Sequence, residues 1–380
     1  MTTLPEVLRA AGYETAAFSS NGNVIPEAGF AQGFDIFNAC EDVGRSRSSL
    51  VLGAWKRLDA LAAWLTGSAS PLRFTRVQKE VDGVVGNRKS DVLADEAFER
   101  WFEGRRHDRP FFAYLHLMSP HVPYDPSPES RKLVGAPPDA VVRQTPARSD
   151  DCFSRGEEVS SERRHELIAL YDACIRDADG FVAAVLDRLE RHGIAERTMI
   201  VIMADHGEEF FEHANWGHGQ SLYEELTRIP LIIRRPGGRE AGRRLAEPVM
   251  AVDVMPTILA EVGVPLPSEA VGRSLLDRES SPHDVAISEM IRPACSVWTV
   301  VRERRKYLEW RRAERGDGSV LYDLERDPGE QTAITGDGTQ ELATRLAQHR
   351  REASRVAHKP GEDALSPQQE DRLRALGYIR

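Results

Sequence analysis

Helix-spaced apolar stretches and short, nearly continuous apolar runs follow one another along this chain, the signature of helix–strand units. Thr3 followed by Glu6 makes a capping box that opens a short helix, and Gly12 closes it. A strand is expected from Thr15 to Phe18, so the chain enters an α/β arrangement at once. Leu50 to Leu65 has helical spacing, and Gly67 to Lys89 reads as an irregular excursion. A helix from Ser90 to about Arg105 aligns Leu93, Ala97, Trp101 and Phe102. Pro110 to Leu117 is an apolar run of strand length, and Pro-, Ser- and Arg-rich residues 125–160 read as a long surface loop. A long helix is predicted from about Ser161 to His192, ended by Gly193. Thr198 to Ala204 is almost entirely apolar and is expected to lie buried on both faces, as in a parallel sheet. Pro230 to Ile233 is another short buried strand, and Asp253 is placed to cap a helix ending at Gly263. Beyond about residue 275 come shorter strands (Val297 to Arg302, Lys306 to Trp310) and a charged helical region. The prediction is an α/β fold with a mixed, mostly parallel central sheet flanked by helices over 1–275. A smaller C-terminal α+β subdomain over 276–380 follows it.

Composition narrows the function without naming it. The 380 residues are 41% hydrophobic and 29% charged, with net charge −10 and mean hydropathy −0.43. No basic excess exists to neutralise phosphates, so nucleic acid is not the expected partner. No run of eighteen apolar residues suggests a membrane span. The amphipathic, charged start is unlike a signal peptide, so the chain carries no export address of its own. Cys40, Cys152, Cys174 and Cys295 lie far apart and suggest neither a disulfide framework nor a thiolate zinc site.

The chemistry concentrates where apolar runs end. Asp205 and His206 follow the strand at 198–204, and Gly207 lets the backbone turn tightly. A carboxylate beside an imidazole suits a divalent cation of intermediate hardness. Glu208, Glu209 and Glu212 read as a solvated acidic loop. His218, between Gly217 and Gly219, sits where backbone can approach a ligand, and an imidazolium there can neutralise a bound oxyanion or protonate a leaving group. Taken alone, it reads as readily as a surface loop histidine. Ser119-Pro120-His121 ends another apolar run, at the carboxyl end of a strand where open α/β sheets bind ligands. His116 reads as structural.

Together these segments resemble the sulfatase family of the alkaline-phosphatase-like superfamily. The resemblance is carried in order by Gly12-Tyr13-Glu14-Thr15, Gly29 to Asp35, Pro120 to Tyr124, Tyr171 to Asp179, Asp205-His206-Gly207-Glu208, and Gly217-His218-Gly219 through Glu225. Arg228 to Ile233, Asp253 to Leu259, Gly272 to Leu275, Leu321 to Glu325 and Leu373 to Tyr378 continue it. It implies metal-dependent hydrolysis of sulfuric esters, with a sugar or aryl sulfate as substrate. Asp205 and His206 would be metal ligands, where many relatives carry Asp-Asn. His121 and His218 would contact the sulfate. Calcium is the implied ion, with manganese or zinc open because of His206. Asp177 and Asp179, although within a familiar block, read as structural. The family is often periplasmic, secreted or lysosomal, and the location of this chain stays open.

One departure is large. Family members carry an early Asp-Asp pair and a Cys- or Ser-x-Pro-x-Arg motif whose first residue becomes formylglycine, the nucleophile. No such motif occurs here: Cys40 to Arg45 lacks the proline, and in Ser127-Pro128-Glu129-Ser130-Arg131 the proline comes one place early. The expectation is a sulfatase-type chain truncated upstream and inactive alone, unless a separate N-terminal fragment supplies the nucleophile. An open sheet edge should result. The alternatives are a phosphodiesterase or phosphonate monoester hydrolase of the same superfamily, or a non-catalytic remnant.

Overall fold

The computed structural model describes residues 2–22, 24–39, 87–140, 142, 152–153, 159–276, 284–292, 294–313, 316–336 and 338–356. The helix expected over Leu50 to Leu65 and most of the excursion at 67–89 lie outside them, as do residues 357–380. The chain forms two compact units, Met1–Gln144 with Glu166–Val185, and Thr145–His165 with Leu186–Arg380.

In the first unit, α1 (Leu4–Ala10) opens on the expected box: the Thr3 hydroxyl accepts from the Glu6 amide, and the Glu6 carboxylate accepts from the Thr3 amide at 2.8 Å. Strand β1 (Glu14–Ser19) is the centre of a parallel sheet, with β2 (Ile36–Ala39) on one side and β3 (Phe111–His116) on the other. Being central, it buries Ala16, Ala17 and Phe18. The long helix α2 (Asn87–Gly104) lays Phe98, Trp101 and Phe102 across β1 and β3, with ring centroids 5.5–5.8 Å apart for Phe18–Phe98, Trp101–Phe111 and Phe98–Phe102. Burying each such side chain is worth about 1.5–3 kcal/mol. The glutamate that opens β1, Glu14, accepts from the Trp101 indole at 3.1 Å, which satisfies a donor that would be costly to bury alone.

Residues 125–160 are not wholly loop. Helix α3 (Pro128–Val134) forms there, capped by Ser127, begun by Pro128 and ended by Gly135 in the left-handed region. Asp177, on the long helix α4 (Ser161–Arg191), accepts from the Ser127 hydroxyl at 2.6 Å, the Ser127 amide at 2.7 Å and the Ser130 hydroxyl at 2.7 Å. Asp177 is therefore structural, as expected.

The second unit begins differently from expectation. Strand β4 (Ile200–Met203) pairs antiparallel with β7 (Leu231–Arg234) rather than sitting inside a parallel sheet. It is not buried on both faces: Met203 is 39% and Ile232 58% exposed. The physical reason is that, among the described residues, this ladder has only two strands, so apolar side chains chosen for a sheet interior meet solvent at an open edge. Between them lie the short ladder β5 (Glu209–Phe210) with β6 (Trp216–Gly217) and the one-turn helix α5 (Glu224–Thr227). Asp253 precedes α6 (Val254–Val262) without bonding its first turn. Its carboxylate instead accepts from the Met250 and Arg273 amides, both at 2.9 Å.

The C-terminal part is the expected α+β element. Antiparallel strands β8 (Ala286–Ile291), β9 (Cys295–Arg302), β10 (Arg305–Arg312) and β11 (Gly318–Asp323) stand in the order β11-β10-β9-β8, and helix α7 (Thr339–Val356) follows. Side chains alternate across a strand, so β10 sorts its residues onto two faces. Tyr307 joins Trp298, Val300 and Leu321 beneath Leu342 and Leu346 of α7. Leu308 and Trp310 face the other way, onto Cys295, Val297, Phe153, Leu222 and Tyr223. Cys152 and Cys295 form a disulfide across that face, their Cα atoms 5.9 Å apart. Distance in sequence, 143 residues, hid the pair: β9 and the segment at 152–153 meet only in the folded chain. No helix among the described residues is long and apolar enough to cross a membrane.

Candidate functional site

The segment after β4 builds the densest polar constellation of the second unit. Gly207 fixes its path: its amide donates to the Leu226 carbonyl at 2.9 Å, and a β-carbon here would stand 2.0 Å from the Glu225 carbonyl oxygen. No side chain fits, so this loop lies directly on α5. Asp205 projects outward, its side chain 70% exposed, with one carboxylate oxygen accepting from the His206 amide at 3.0 Å. The His206 ring places Nδ1 2.8 Å from the Gly207 carbonyl. A carbonyl only accepts, so Nδ1 carries the proton and the Nε2 lone pair is left available.

Two predicted residues meet here. The rings of His206 and His218 lie with centroids 4.1 Å apart at 32°. Behind His218, Glu208 Oε1 is 2.8 Å from its Nδ1, and the Glu208 side chain is only 4% exposed. A buried carboxylate on Nδ1 orients the imidazole and directs Nε2 to the far side. His218 is thus not a solvated loop histidine. Glu208 and Glu209 are not a solvated acidic loop either. Glu209 is fully buried, its Oε1 accepting from the His213 amide at 3.1 Å and the Asn215 amide at 2.9 Å, while Oε2 takes the Gln220 amide nitrogen at 3.3 Å. It holds the β5–β6 loop that presents His218, and burial pushes its pKa above the usual carboxylate value. Glu212 alone is half-exposed, 3.3 Å from Arg164.

His213 belongs to an adjoining network. Its Nδ1 lies 2.7 Å from Glu225 and its ring stacks on Tyr223 at 3.5 Å. Burial would lower its pKa, but the bond and charge of Glu225 outweigh that and raise it. Below it, Lys306 is wholly buried between Glu224 at 3.0 Å and Glu330 at 3.1 Å. Through this contact β10 anchors α5, on which the Asp205–Gly207 loop rests.

His121 belongs to the first unit, so the structure describes it apart from the other three. It follows β3, with its amide donating to the Met118 carbonyl at 2.6 Å and its Nδ1 2.5 Å from the Val122 carbonyl. The loop is held from α2: the Asp91 carboxylate accepts from the Met118 amide at 2.7 Å and the Ser119 amide at 2.9 Å. Asp91 is fully buried, and burial pushes its pKa up. Nothing near it in the sequence marks it out. His116 lies within β3, opposite Ser19 of β1, as a structural position should.

A divalent ion would find two suitable donors. Asp205 Oδ2 and His206 Nε2 are 3.8 Å apart, within the roughly 3–4.5 Å expected of two ligands on one ion. Two donors are a partial set. Among the described residues no group of three or more His, Cys, Asp or Glu is arranged to hold a metal. The pair has the right chemistry without completing a site.

Known proteins give the same reading. The sequence profile of the family described as Sulfatase matches residues 1–264, and that of the N-sulphoglucosamine sulphohydrolase C-terminal region matches 212–355. Arylsulfatase K of Xenopus laevis is 27% identical over 271 residues, covering 61% of this chain and 49% of the relative. A Δ4,5-hexuronate-2-O-sulfatase of Bacteroides thetaiotaomicron is 28% identical over 204 residues, covering 50% and 41%. The chain therefore spans about half the length of the curated relatives it matches. Among solved structures, a protein in complex with its substrate D-glucosamine-2-N,6-O-disulfate superposes with a TM-score of 0.64 at 20% identity, over 96% of this chain and 84% of that one. The phosphonate monoester hydrolase of Agrobacterium radiobacter gives 0.62 at 19% identity, over 93% and 79%. These likenesses carry the fold, an alkaline-phosphatase-like α/β arrangement with a C-terminal α+β part. Since the first profile runs over residues 1–264 of 380, well beyond half of the sequence, the chain belongs to the sulfatase family.

Proposed function

We propose that the chain serves the hydrolysis of sulfuric esters, of a sugar or aryl sulfate, and supplies the groups that hold the sulfate. The observation that carries this is the His206–His218 apposition backed by buried Glu208, within a segment matched by the sulfatase profile. Sulfate transfer concentrates negative charge on the departing oxygen and on the equatorial oxygens, and preorganised donors aimed there lower the barrier. Held by Glu208 at Nδ1, His218 offers Nε2 to that charge, and His121 is the second contact. Asp205 and His206 are proposed as two ligands of a divalent ion, calcium being the expectation and manganese or zinc the alternatives. Residues 1–275 form the catalytic part and 276–380 the supporting subdomain. Attack on sulfur needs a nucleophile, formylglycine in this family, and this sequence holds no precursor motif for it. The Cys152–Cys295 disulfide supports maturation in an oxidising compartment. A sugar sulfate is supported by the relative named as a hexuronate sulfatase and by the fold neighbour solved with a disulfated glucosamine.

A second reading, phosphonate monoester hydrolysis, is favoured by the phosphonate monoester hydrolases among the fold neighbours and by a histidine–carboxylate constellation that does not itself choose sulfur over phosphorus. Two measurements decide. Calorimetric titration of inorganic sulfate into the chain should give binding that weakens at least tenfold in His218→Ala; binding unaffected by that change sinks the proposed site. Turnover of 4-nitrophenyl sulfate and phenyl phosphonate is then compared. Preference for the phosphonate establishes the second reading, and sulfate binding without any turnover leaves a non-catalytic member of the family.

A further inference from the structure

At the end of the C-terminal sheet farthest along β10, a cleft of about 220 Å³ is lined by Arg292, Arg311 and Arg312, with Cys295 in its wall and Asp317 at its edge. Three guanidiniums face one carboxylate among the described lining residues, on a chain whose overall charge is −10. A local reversal of sign of this kind draws anions to one place rather than to the surface at large. The residue type also matters. Guanidinium is a weakly hydrated planar fork that grips two oxygens of a sulfate or carboxylate at once, which an ammonium does not.

The backbone beneath these side chains is fixed. Arg311 and Arg312 stand opposite Ser296 and Cys295 in the β9–β10 register. The Ala313 amide donates to the Ala294 carbonyl at 3.1 Å, and the Arg292 amide to the Cys295 carbonyl at 2.9 Å. The Arg311 guanidinium carbon lies 5.9 Å from the Trp298 ring centroid, a contact that restricts its rotamers. Cys295 carries the connection to the rest of the site. It is disulfide-bonded to Cys152, and the next residue, Phe153, donates its amide to the Gln220 carbonyl at 3.0 Å, two residues from His218. The arginine cleft and the His218 loop therefore share one covalent frame.

The size is informative as well. Sites that engulf a drug-sized ligand hold roughly 300–1,000 Å³. This cleft is smaller and open, suited to a charged substituent and the edge of its ring rather than a whole buried sugar.

We propose that the Arg292–Arg311–Arg312 cleft is a second anion-binding subsite, which takes a sulfate or carboxylate group of an acidic glycan. The substrate this implies is a polyanionic sulfated glycan chain rather than an isolated sulfate ester. This rests on the sulfatase reading for the chemistry at His218, but the subsite is tested by binding alone.

The full chain is titrated with a heparin-derived tetrasaccharide, with chitotetraose as the uncharged counterpart and inorganic sulfate as the free-anion arm. Arg311→Ser/Arg312→Ser should weaken tetrasaccharide binding at least tenfold, about 1.4 kcal/mol. Arg326→Ser, which removes a positive charge from an exposed turn after β11, should change it less than twofold. Arg311→Lys/Arg312→Lys, which keeps the charge and loses the forks, should fall between wild type and the serine pair and guards against misfolding. Chitotetraose should not bind measurably. The subsite is overturned if the serine pair binds the tetrasaccharide within twofold of wild type. It is equally overturned if Arg326→Ser costs as much, which would mean a diffuse field, or if inorganic sulfate binds the cleft as tightly as the tetrasaccharide, which would mean a free-anion site. Failure of the sulfatase reading has a different signature, sulfate binding indifferent to His218→Ala, and leaves the cleft result standing.

Discussion

Replacing Lys306 by methionine should be among the most destabilising single changes in the second unit. The side chain is completely buried, with Nζ 3.0 Å from Glu224 and 3.1 Å from Glu330, and the Glu330 side chain is itself inaccessible. Methionine fills nearly the same volume, so the change isolates charge from packing. It strands Glu330 and the partly buried Glu224 without their cation, and breaking a buried pair by removing one partner costs about 3–5 kcal/mol. The penalty is pH-dependent. Burial pushes the Glu330 pKa above its ordinary value and Lys306 pulls it back, so losing the lysine raises it further. A raised folded-state pKa means the stranded carboxyl is tolerated below its unfolded value and becomes costly as pH rises through the folded one. Urea unfolding followed by circular dichroism at pH 5 and pH 8 should show the larger loss at pH 8. In Lys306→Met/Glu330→Gln the loss should be smaller than the sum of the two single changes by at least about 1 kcal/mol, the usual size of coupling between contacting residues. A loss below about 1 kcal/mol for Lys306→Met, or strict additivity in the cycle, would refute the reasoning.

Other consequences can be checked separately. Gly207→Ala drives a β-carbon into the Glu225 carbonyl, so the Asp205–Glu208 loop must lift from α5. Sulfate binding measured calorimetrically should fall at least as far as in His218→Ala. Burial raises the Glu209 pKa from its ordinary 4.5, so its contribution to stability is complete below that value and declines as pH rises through the folded one. In Glu209→Gln, melting temperature against pH should be flatter above 4.5; an unchanged slope would show that another group titrates there. Cys152→Ala/Cys295→Ala opens a loop of 143 residues and should cost about 2–5 kcal/mol, read as a lower urea midpoint than in the oxidised wild type.

Several elements were legible because local rules suffice for them. The box of Thr3 and Glu6, the aromatic stripe of α2 and the end of α4 before Gly193 each depend on residues within a few positions of one another. The site loop was legible in part. Asp205, His206 and His218 stand out as ligand-type residues beside glycines, and the structure brings His206 and His218 ring to ring. Their supports were not legible. Glu208 and Glu209 look like any acidic pair next to polar residues. Only the backbone path between β5 and β6 puts one behind His218 and the other inside the loop. Asp91 is one polar residue at the start of a helix until β3 delivers two amides to it.

The sequence by itself determined which elements form and which family the chain joins, because capping, periodicity and ordered blocks are written in neighbouring residues. Tertiary structure decided the rest. It made β4 half of a two-stranded antiparallel ladder with an exposed edge, although its composition is that of a buried strand. It closed Cys152 onto Cys295 across 143 residues. It buried Lys306 with two glutamates and set three arginines around one cleft. Each of these depends on which distant backbones share a face, and burial, pairing and electric field all follow from that.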